Sequence, residues 1–319
     1  MKTKHLVDPE LLAALEVMPP FNLTVEMLPQ MRGMMGEMMK MQAAGAPPSD
    51  VVVEERHVPG PAGAPDVRVL IFSPPGGPGA AKPGYLHIHG GGYIMGVPEM
   101  MNLQNKALVS EIGCVVVSVD YRLAPETPHP GPVEDCYAAL KWFHANAASL
   151  GVDPGRIAIG GESAGGGLSA ALGLLTRDRG EVPLAFQLLI YPMIDDRTVT
   201  LADPHRFAGE FIWTAHSNDF GWRSLLGQAP GGAGVSPYAA AARAEDLAGL
   251  PPTFISVGAL DIFLDEDIDY AKRLLAAGVP TELHVYPGAY HGFDAAFEAD
   301  VTKRFRRDAI QALKRALSA

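Results

Sequence analysis

Ser163 stands in the run Gly161-Glu162-Ser163-Ala164-Gly165-Gly166, directly after a β-rich stretch at 156–160 and before a helix-like stretch at 168–176. A serine flanked by glycines two residues away on either side fits a sharp strand-turn-helix junction. The glycines let strand and helix approach without side-chain clash, and the serine takes strained backbone angles. Its hydroxyl is then left exposed at the sheet edge, where open α/β sheets form their sites. The chemistry on offer is nucleophilic attack on a carbonyl. A hydroxyl attacks poorly unless a base removes its proton, and histidine, with an ordinary pKa of about 6.5, suits that task near neutrality. In a chain with 35 glycines such a run can arise by chance, so its meaning depends on partners.

The first partner is His89-Gly90-Gly91-Gly92-Tyr93, after a β-rich stretch at 85–89. Consecutive glycines can aim backbone N–H groups at one point, as an oxyanion requires; taken alone, the run reads equally well as an ordinary glycine turn. Its position after the third strand-like stretch favours the first reading. For the base, the chain order Ser, Asp/Glu, His leaves His205, His216, His284 and His291 of the ten histidines. His284 sits inside the last strand-like stretch, and His205 and His216 lie in an interruption at 195–234. His291 falls in the loop after the last strand and is the residue of choice. The carboxylate that orients it should follow the preceding strand, where Asp261 comes first. Asp265, Glu266, Asp267 and Asp269 read as acids in the first turns of the next helix, complementing its dipole. A calcium loop would need a ligand spacing and a central glycine that are missing.

These residues need a scaffold that brings loop ends together, and the rest of the chain supplies its pattern. Short β-rich runs at 51–58, 67–74, 85–89, 114–121, 156–160, 186–191, 253–257 and 282–286 alternate with helical stretches. That predicts an α/β sheet with helices on both faces. The Pro/Gly-rich turn at 59–65 makes the first two runs a hairpin, and the helix-length connections that follow make the rest parallel. Residues 76–82 read as a plain loop. Ahead of the sheet, Leu11, Leu12 and Leu15, then Met27, Met31, Met34, Met35, Met38, Met39 and Met41, suggest two short amphipathic helices. They either pack on the domain or face substrate, and Arg32, Glu37 and Lys40 argue against membrane insertion. The 195–234 interruption carries Phe211, Trp213, Phe220 and Trp222 and is too long for a simple crossover.

A net charge of −11 lacks the basic footprint of phosphate-backbone binding, so nucleic acid and anionic membrane surfaces are not expected partners. No run reaches the roughly 18 apolar residues of a spanning helix, and the start of the chain has no apolar signal core. The expected compartment is cytoplasmic. Cys114 and Cys136, without C-x-x-C spacing, read as buried free thiols.

Together with Asp120-Tyr121-Arg122-Leu123-Ala124-Pro125-Glu126, Tyr191-Pro192, the Asp261/Asp265-Glu266 pattern and His291-Gly292-Phe293, the runs above resemble the hormone-sensitive-lipase-like (family IV) bacterial carboxylesterases of the α/β-hydrolase fold. The resemblance extends from about residue 85 to the C-terminus. It implies an eight-stranded, mostly parallel sheet flanked by helices in a catalytic domain at 51–319, with residues 1–50 and part of 195–234 forming a helical cap. Ser163, Asp261 and His291 would be the triad, and Gly91, Gly92 and Ala164 the oxyanion-hole donors. The activity implied is hydrolysis of short- to medium-chain carboxylic esters through an acyl-enzyme, with no metal or organic cofactor and often a homodimer. One departure is Glu162, where the family commonly has Asp or Thr; it implies tuning of the site or its interface. His89 is expected to shape the glycine loop, and Tyr121, Arg122 and Glu126 to be structural. Amide hydrolysis, a lipase acting at an oil interface and a non-catalytic ligand-binding scaffold remain alternatives. Phe211, Trp213, Met34 and Met35 are either pocket lining or core.

Overall fold

The computed structural model describes residues 2–17, 23–45, 47–76 and 81–318, without the Lys40 side chain or those of residues 42–44. Of the loop expected at 76–82, residues 77–80 lie outside that set. The eight strands are β1 Val52–Val58, β2 Val67–Ser73, β3 Lys82–Ile88, β4 Val115–Asp120, β5 Val152–Glu162, β6 Phe186–Ile190, β7 Thr253–Gly258 and β8 Thr281–Tyr286. They form one sheet in the order β1-β2-β4-β3-β5-β6-β7-β8. β1 is antiparallel to β2 and β2 to β4, and every later pairing is parallel. The sequence thus located each strand and the antiparallel start. β5, however, begins at Val152 rather than 156, because Asp153-Pro154-Gly155 hides its pattern; the β3–β5 register shifts between Lys82 and Gly84 to absorb those residues.

The helices are α1 Leu12–Val17, α2 Leu28–Ala44, α3 Asn102–Ile112, α4 Gly131–Ala145, α5 Ala164–Arg179, α6 Ala215–Leu226, α7 Leu264–Ala276 and α8 Asp300–Leu317. Strand periodicity decides which of them each side chain meets. Ile157 and Ile159 of β5 pack with Val133, Leu140 and Phe143 of α4 and Leu168 and Leu172 of α5. Between them, Ala158 faces the opposite layer, with Phe305 and Leu313 of α8 and Val109 of α3. Tyr270 and Leu274 of α7 close a third cluster against Leu189 and Ile255. Cys136 lies in the first layer and Cys114 in the second, so the sheet separates them and both are free thiols. Burial pushes the Cys114 thiol up to about 12.

The N-terminal segment is tied to the sheet's carboxyl edge. The Asp8 amide donates to the Gly288 carbonyl at 3.1 Å, and the Tyr290 hydroxyl donates to the Leu11 carbonyl at 3.0 Å. Leu11 and Leu15 join the α8 layer, while Leu23 and Leu28 join the α4–α5 layer. Among the described residues no helix is long and apolar enough to cross a membrane.

Candidate active site

Ser163 joins β5 to α5 at φ 56° and ψ −121°, a conformation that costs an L-residue free energy and persists only where neighbours hold it. They do so from both sides. The Ser163 amide donates to the Ile190 carbonyl at 2.9 Å, and the Ser163 carbonyl accepts from the Gly167 and Met193 amides at 2.9 and 3.0 Å. The glycine spacing has an equally direct cause: a Cβ on either Gly161 or Gly165 would lie 2.0 Å from the same atom, the Ile88 carbonyl oxygen at the end of β3.

The loops after β7 and β8 bring the other two residues to this turn. Ser163 Oγ lies 2.9 Å from His291 Nε2, and His291 Nδ1 lies 2.8 Å from Asp261 Oδ2. A carboxylate can only accept, so Nδ1 carries the proton and Nε2 is left to accept from the serine hydroxyl. The second Asp261 oxygen accepts from the Phe263 amide at 3.0 Å, and Asp261 is fully buried. Aromatic edges fix the imidazole plane: Tyr191 at 4.8 Å and Phe263 at 5.1 Å between ring centroids. The three residues selected from the sequence therefore form one hydrogen-bonded chain.

Asp265, Glu266 and Asp267 occupy the first turn of α7, as expected, but the acids after Asp261 divide in their burial. Asp265 and Asp269 face solvent. Glu266 and Asp267 are buried, because the helical phase that turns Leu264, Tyr270 and Ala271 inward turns them inward too. Glu266 accepts from the Ile194 and Asp195 amides at 2.8 and 3.1 Å and from the Thr198 hydroxyl, pinning the start of the 195–234 segment. Burial, and then the Glu266 and Asp261 charges, push the Asp267 carboxyl well above its ordinary range.

Gly91 and Gly92, at φ 121° and 61°, form the turn after β3. Gly91 presents its carbonyl to the Ile94 and Met95 amides at 3.1 and 3.0 Å. Among the described residues, neither the Gly91 nor the Gly92 amide donates to a backbone carbonyl. Ala164 is the first residue of α5, where an amide has no intrahelical acceptor. His89 holds this loop from behind, as expected. Its Nδ1 bonds the Gly90 carbonyl at 2.8 Å, its ring stacks on Tyr121 at 4.3 Å, and the Tyr121 hydroxyl donates to its carbonyl at 2.9 Å. Burial lowers its pKa to about 4, so it is neutral at working pH. Arg122 pairs with the buried Asp135 through two bonds of 2.8 and 2.7 Å.

Two distant segments pack against this floor. Trp213 lies so close to Gly92 that a Cβ there would sit 2.1 Å from the indole, whose ring is also 6.4 Å from that of His291. Its Nε1 donates to Asn218 Oδ1 at 3.2 Å. Trp213 therefore packs against the loop beside the imidazole, whereas Phe211 is buried against Tyr290 away from it. From α2, Arg32 donates to the Ile94 and Ala124 carbonyls at 2.8 and 2.9 Å and forms a forked pair with Glu126 at 2.8 and 2.9 Å. A cation inside a methionine-rich stretch is the sequence signal for this anchor. Met31 and Met35 pack inward, whereas Met34, Met38 and Met41 are exposed.

Glu162 turns away from the serine into the α3–α8 layer. The buried His87 donates from Nε2 to Glu162 Oε2 at 3.0 Å and accepts at Nδ1 from the Ser118 hydroxyl at 2.8 Å. A polar chain thus crosses β4, β3 and β5 behind the nucleophile turn.

Comparison with known proteins agrees with this arrangement. A family described as alpha/beta hydrolase fold matches residues 85–295. The chain is similar to an esterase, LipI, of Mycobacterium tuberculosis, with 34% identity over 91% of this chain and 88% of that protein. A carboxylesterase of the same organism, NlhH, is 36% identical over 84% of this chain and 83% of its own. Among solved structures, a bacterial heroin esterase superposes with a TM-score of 0.93 at 41% identity, covering 99% of this chain and all of that one.

Proposed function

This chain belongs to the alpha/beta hydrolase fold family, in its hormone-sensitive-lipase-like branch, and we propose that it is a serine carboxylesterase acting on short- to medium-chain esters. The observation that carries the reading is the continuous chain from Ser163 Oγ through His291 to Asp261, with bonds of 2.9 and 2.8 Å. His291 Nε2 takes the serine proton as Oγ attacks the ester carbonyl, and buried Asp261 stabilises the imidazolium. The Gly91, Gly92 and Ala164 amides hold the tetrahedral oxyanion. The imidazolium then protonates the departing alcohol, leaving an acyl-serine. Water, deprotonated by His291, attacks the acyl carbonyl, and the imidazolium returns that proton to Ser163 Oγ as the acid leaves.

The cap reading rests on Arg32 and Trp213. Residues 1–50 and part of 195–234 cover the site, with Arg32 clamping α2 to the end of the glycine loop at Ile94 and to the loop after β4 at Ala124, and Trp213 walling Gly92. The site shapes the acyl and alcohol preferences through these segments, while the 51–319 domain supplies the chemistry. A cytoplasmic, membrane-independent protein fits the acidic chain and its two reduced thiols. A homodimer follows from the family resemblance and is read directly by light scattering.

The test is hydrolysis of p-nitrophenyl acetate, butyrate, octanoate and palmitate, with a matched anilide, by the wild type and by Ser163→Ala. Ester turnover that peaks at butyrate or octanoate and falls at least about 10³-fold in the variant is expected. A wild type inactive on every ester, or a variant as active as the wild type, would sink the reading.

A further inference from the structure

Behind the nucleophile turn, on the sheet face away from α4 and α5, α3 and α8 frame a cavity of about 430 Å³. Ser163, Asp261, His291 and the glycine loop do not line it. Its walls are largely apolar, with Leu188 and Ile190 from β6, Leu108 from α3, and Phe305 and Ile310 from α8. Asn105, 1% exposed, lines this apolar space, with neither Oδ1 nor Nδ2 partnered among the described residues. A buried amide with both ends unpaired is costly to the fold. Leucine at the same place would remove that cost, so the amide has the character of a group kept for a ligand.

Four charged side chains line the cavity: Glu162, Asp294, Glu111 at the exposed rim, and Arg306. Arg306 is already engaged, donating to the Asp294 backbone carbonyl at 3.1 Å and lying 4.4 Å over the Phe297 ring. Glu162 Oε2 accepts from His87, and Asp294 Oδ1 accepts from the Tyr191 hydroxyl at 2.6 Å. Burial raises the Asp294 carboxyl pKa; the Tyr191 hydroxyl and the Arg306 charge offset part of that rise, and the Glu162 charge adds to it. Three carboxylates to one guanidinium leave the lining net acidic, which favours a further cation in the cavity.

We propose that this cavity binds an amphipathic amino alcohol. Its hydrocarbon body lies on the apolar walls and its ammonium beside Glu162 and Asp294. Asn105 Oδ1 accepts from an ammonium N–H, and Nδ2 donates to the ligand's hydroxyl or ester oxygen. The group arrives either as a free molecule or as the alcohol half of an ester held at Ser163; only the second source rests on the esterase reading. The departure at Glu162 then has a purpose, with the residue beside the nucleophile contributing the charge that selects the ligand.

Calorimetric titration of the full chain carrying Ser163→Ala tests this without turnover. The probes are 2-amino-1-octanol, its neutral analogue 1,2-octanediol and the anionic 2-hydroxyoctanoate. The amine should bind at least about tenfold more tightly than the diol, and the acid not measurably. Adding Asn105→Leu should abolish amine binding while Tm holds or rises; adding Glu162→Gln should reduce the amine's affinity to that of the diol. Equal binding of all three probes, or undiminished amine binding by the Asn105→Leu protein, overturns the proposal. If Asn105→Leu does not fold, Glu162→Gln decides alone. With the unsubstituted protein and p-nitrophenyl butyrate, competitive inhibition by the amine assigns the cavity to the alcohol half of a substrate. An altered kcat at constant KM assigns it to a free ligand.

Discussion

The floor of the site and its cover are built by different rules. On the floor, backbone meets backbone: the Ile88 carbonyl lies against both Gly161 and Gly165, and the Ser163 peptide is bonded on both sides. Over it, single polar anchors hold the chain, Arg32 on Ile94 and Ala124, and the Thr3 amide on Glu210 Oε2 at 2.7 Å. Met34, Met38 and Met41 meanwhile remain exposed on α2. A floor packed at backbone contact admits almost no substitution, whereas a cover pinned at a few points can change its lining without disturbing the chemistry. Under the proposed cap reading, this division places rate in the floor and selectivity in the cover.

The largest expected effect tests the floor. Asp261→Asn keeps the shape but lets His291 adopt the wrong tautomer, so kcat should fall about 10³–10⁴-fold with little change in KM. Steady-state kinetics on p-nitrophenyl butyrate reads this, and a fall below about tenfold would remove Asp261 from the triad.

Glycine substitutions contrast the two regions directly. Gly161→Ala places its Cβ 2.0 Å from the Ile88 oxygen, and a loss of about 3 kcal/mol is expected in urea unfolding. Gly33→Ala in α2 meets nothing within 4 Å and should stabilise by about 0.5–1 kcal/mol through helix propensity. Equal effects at the two positions would erase the distinction.

The seam between floor and cover is Gly92 against Trp213. Gly92→Ala should cut kcat about 10²-fold, and adding Trp213→Ala should restore about tenfold by removing the clash, while the strain at φ 61° remains. Strictly additive losses would show that the two residues do not meet. Arg32→Ala, the mildest of these changes, should raise KM several-fold and shift the chain-length profile with kcat nearly unchanged. A drop in kcat alone would assign Arg32 to the floor.

The pH dependence of stability isolates one buried group of the floor. His89 has its pKa lowered to about 4 by burial, against about 6.5 when unfolded. Between those values the unfolded chain binds the extra proton, so stability is complete above about 6.5 and declines as pH falls towards 4. Tm measured across that window should decline on acidification, and an NMR titration of the His89 ring should show no protonation above pH 5.

The floor was legible in the sequence because its constraints are local. The Ser163 turn needs small residues at fixed offsets, the glycine loop needs consecutive positions without a Cβ, and strand order places Asp261 and His291 after β7 and β8. The strands emerged for the same reason, as short local β-rich runs that the central sheet buries on both faces, except where Asp153-Pro154-Gly155 broke the pattern at the start of β5. The cover was less legible because its contacts join residues far apart in sequence. No spacing relates Arg32 to Ile94, Trp213 to Gly92 or Glu266 to Ile194. Glu266 and Asp267 stand in the first turn of α7 as the sequence implies, but their burial was not legible for a related reason: acids at the start of a helix usually face water, and only the tertiary packing of α7 turned these two inward. Glu162 stood out as a departure in its motif, but its partners His87 and Ser118 lie on neighbouring strands whose side-chain contacts the sequence does not order.

The central claim is that Ser163 is the nucleophile, and covalent labelling tests it most directly. The chain is treated with diethyl p-nitrophenyl phosphate, the released p-nitrophenol is counted, and the modified peptide is mapped by mass spectrometry. One equivalent of nitrophenol, a single diethylphosphoryl group on Ser163, and loss of esterase activity in proportion to labelling are expected. No adduct, or an adduct on another residue with activity lost in step, would contradict the assignment.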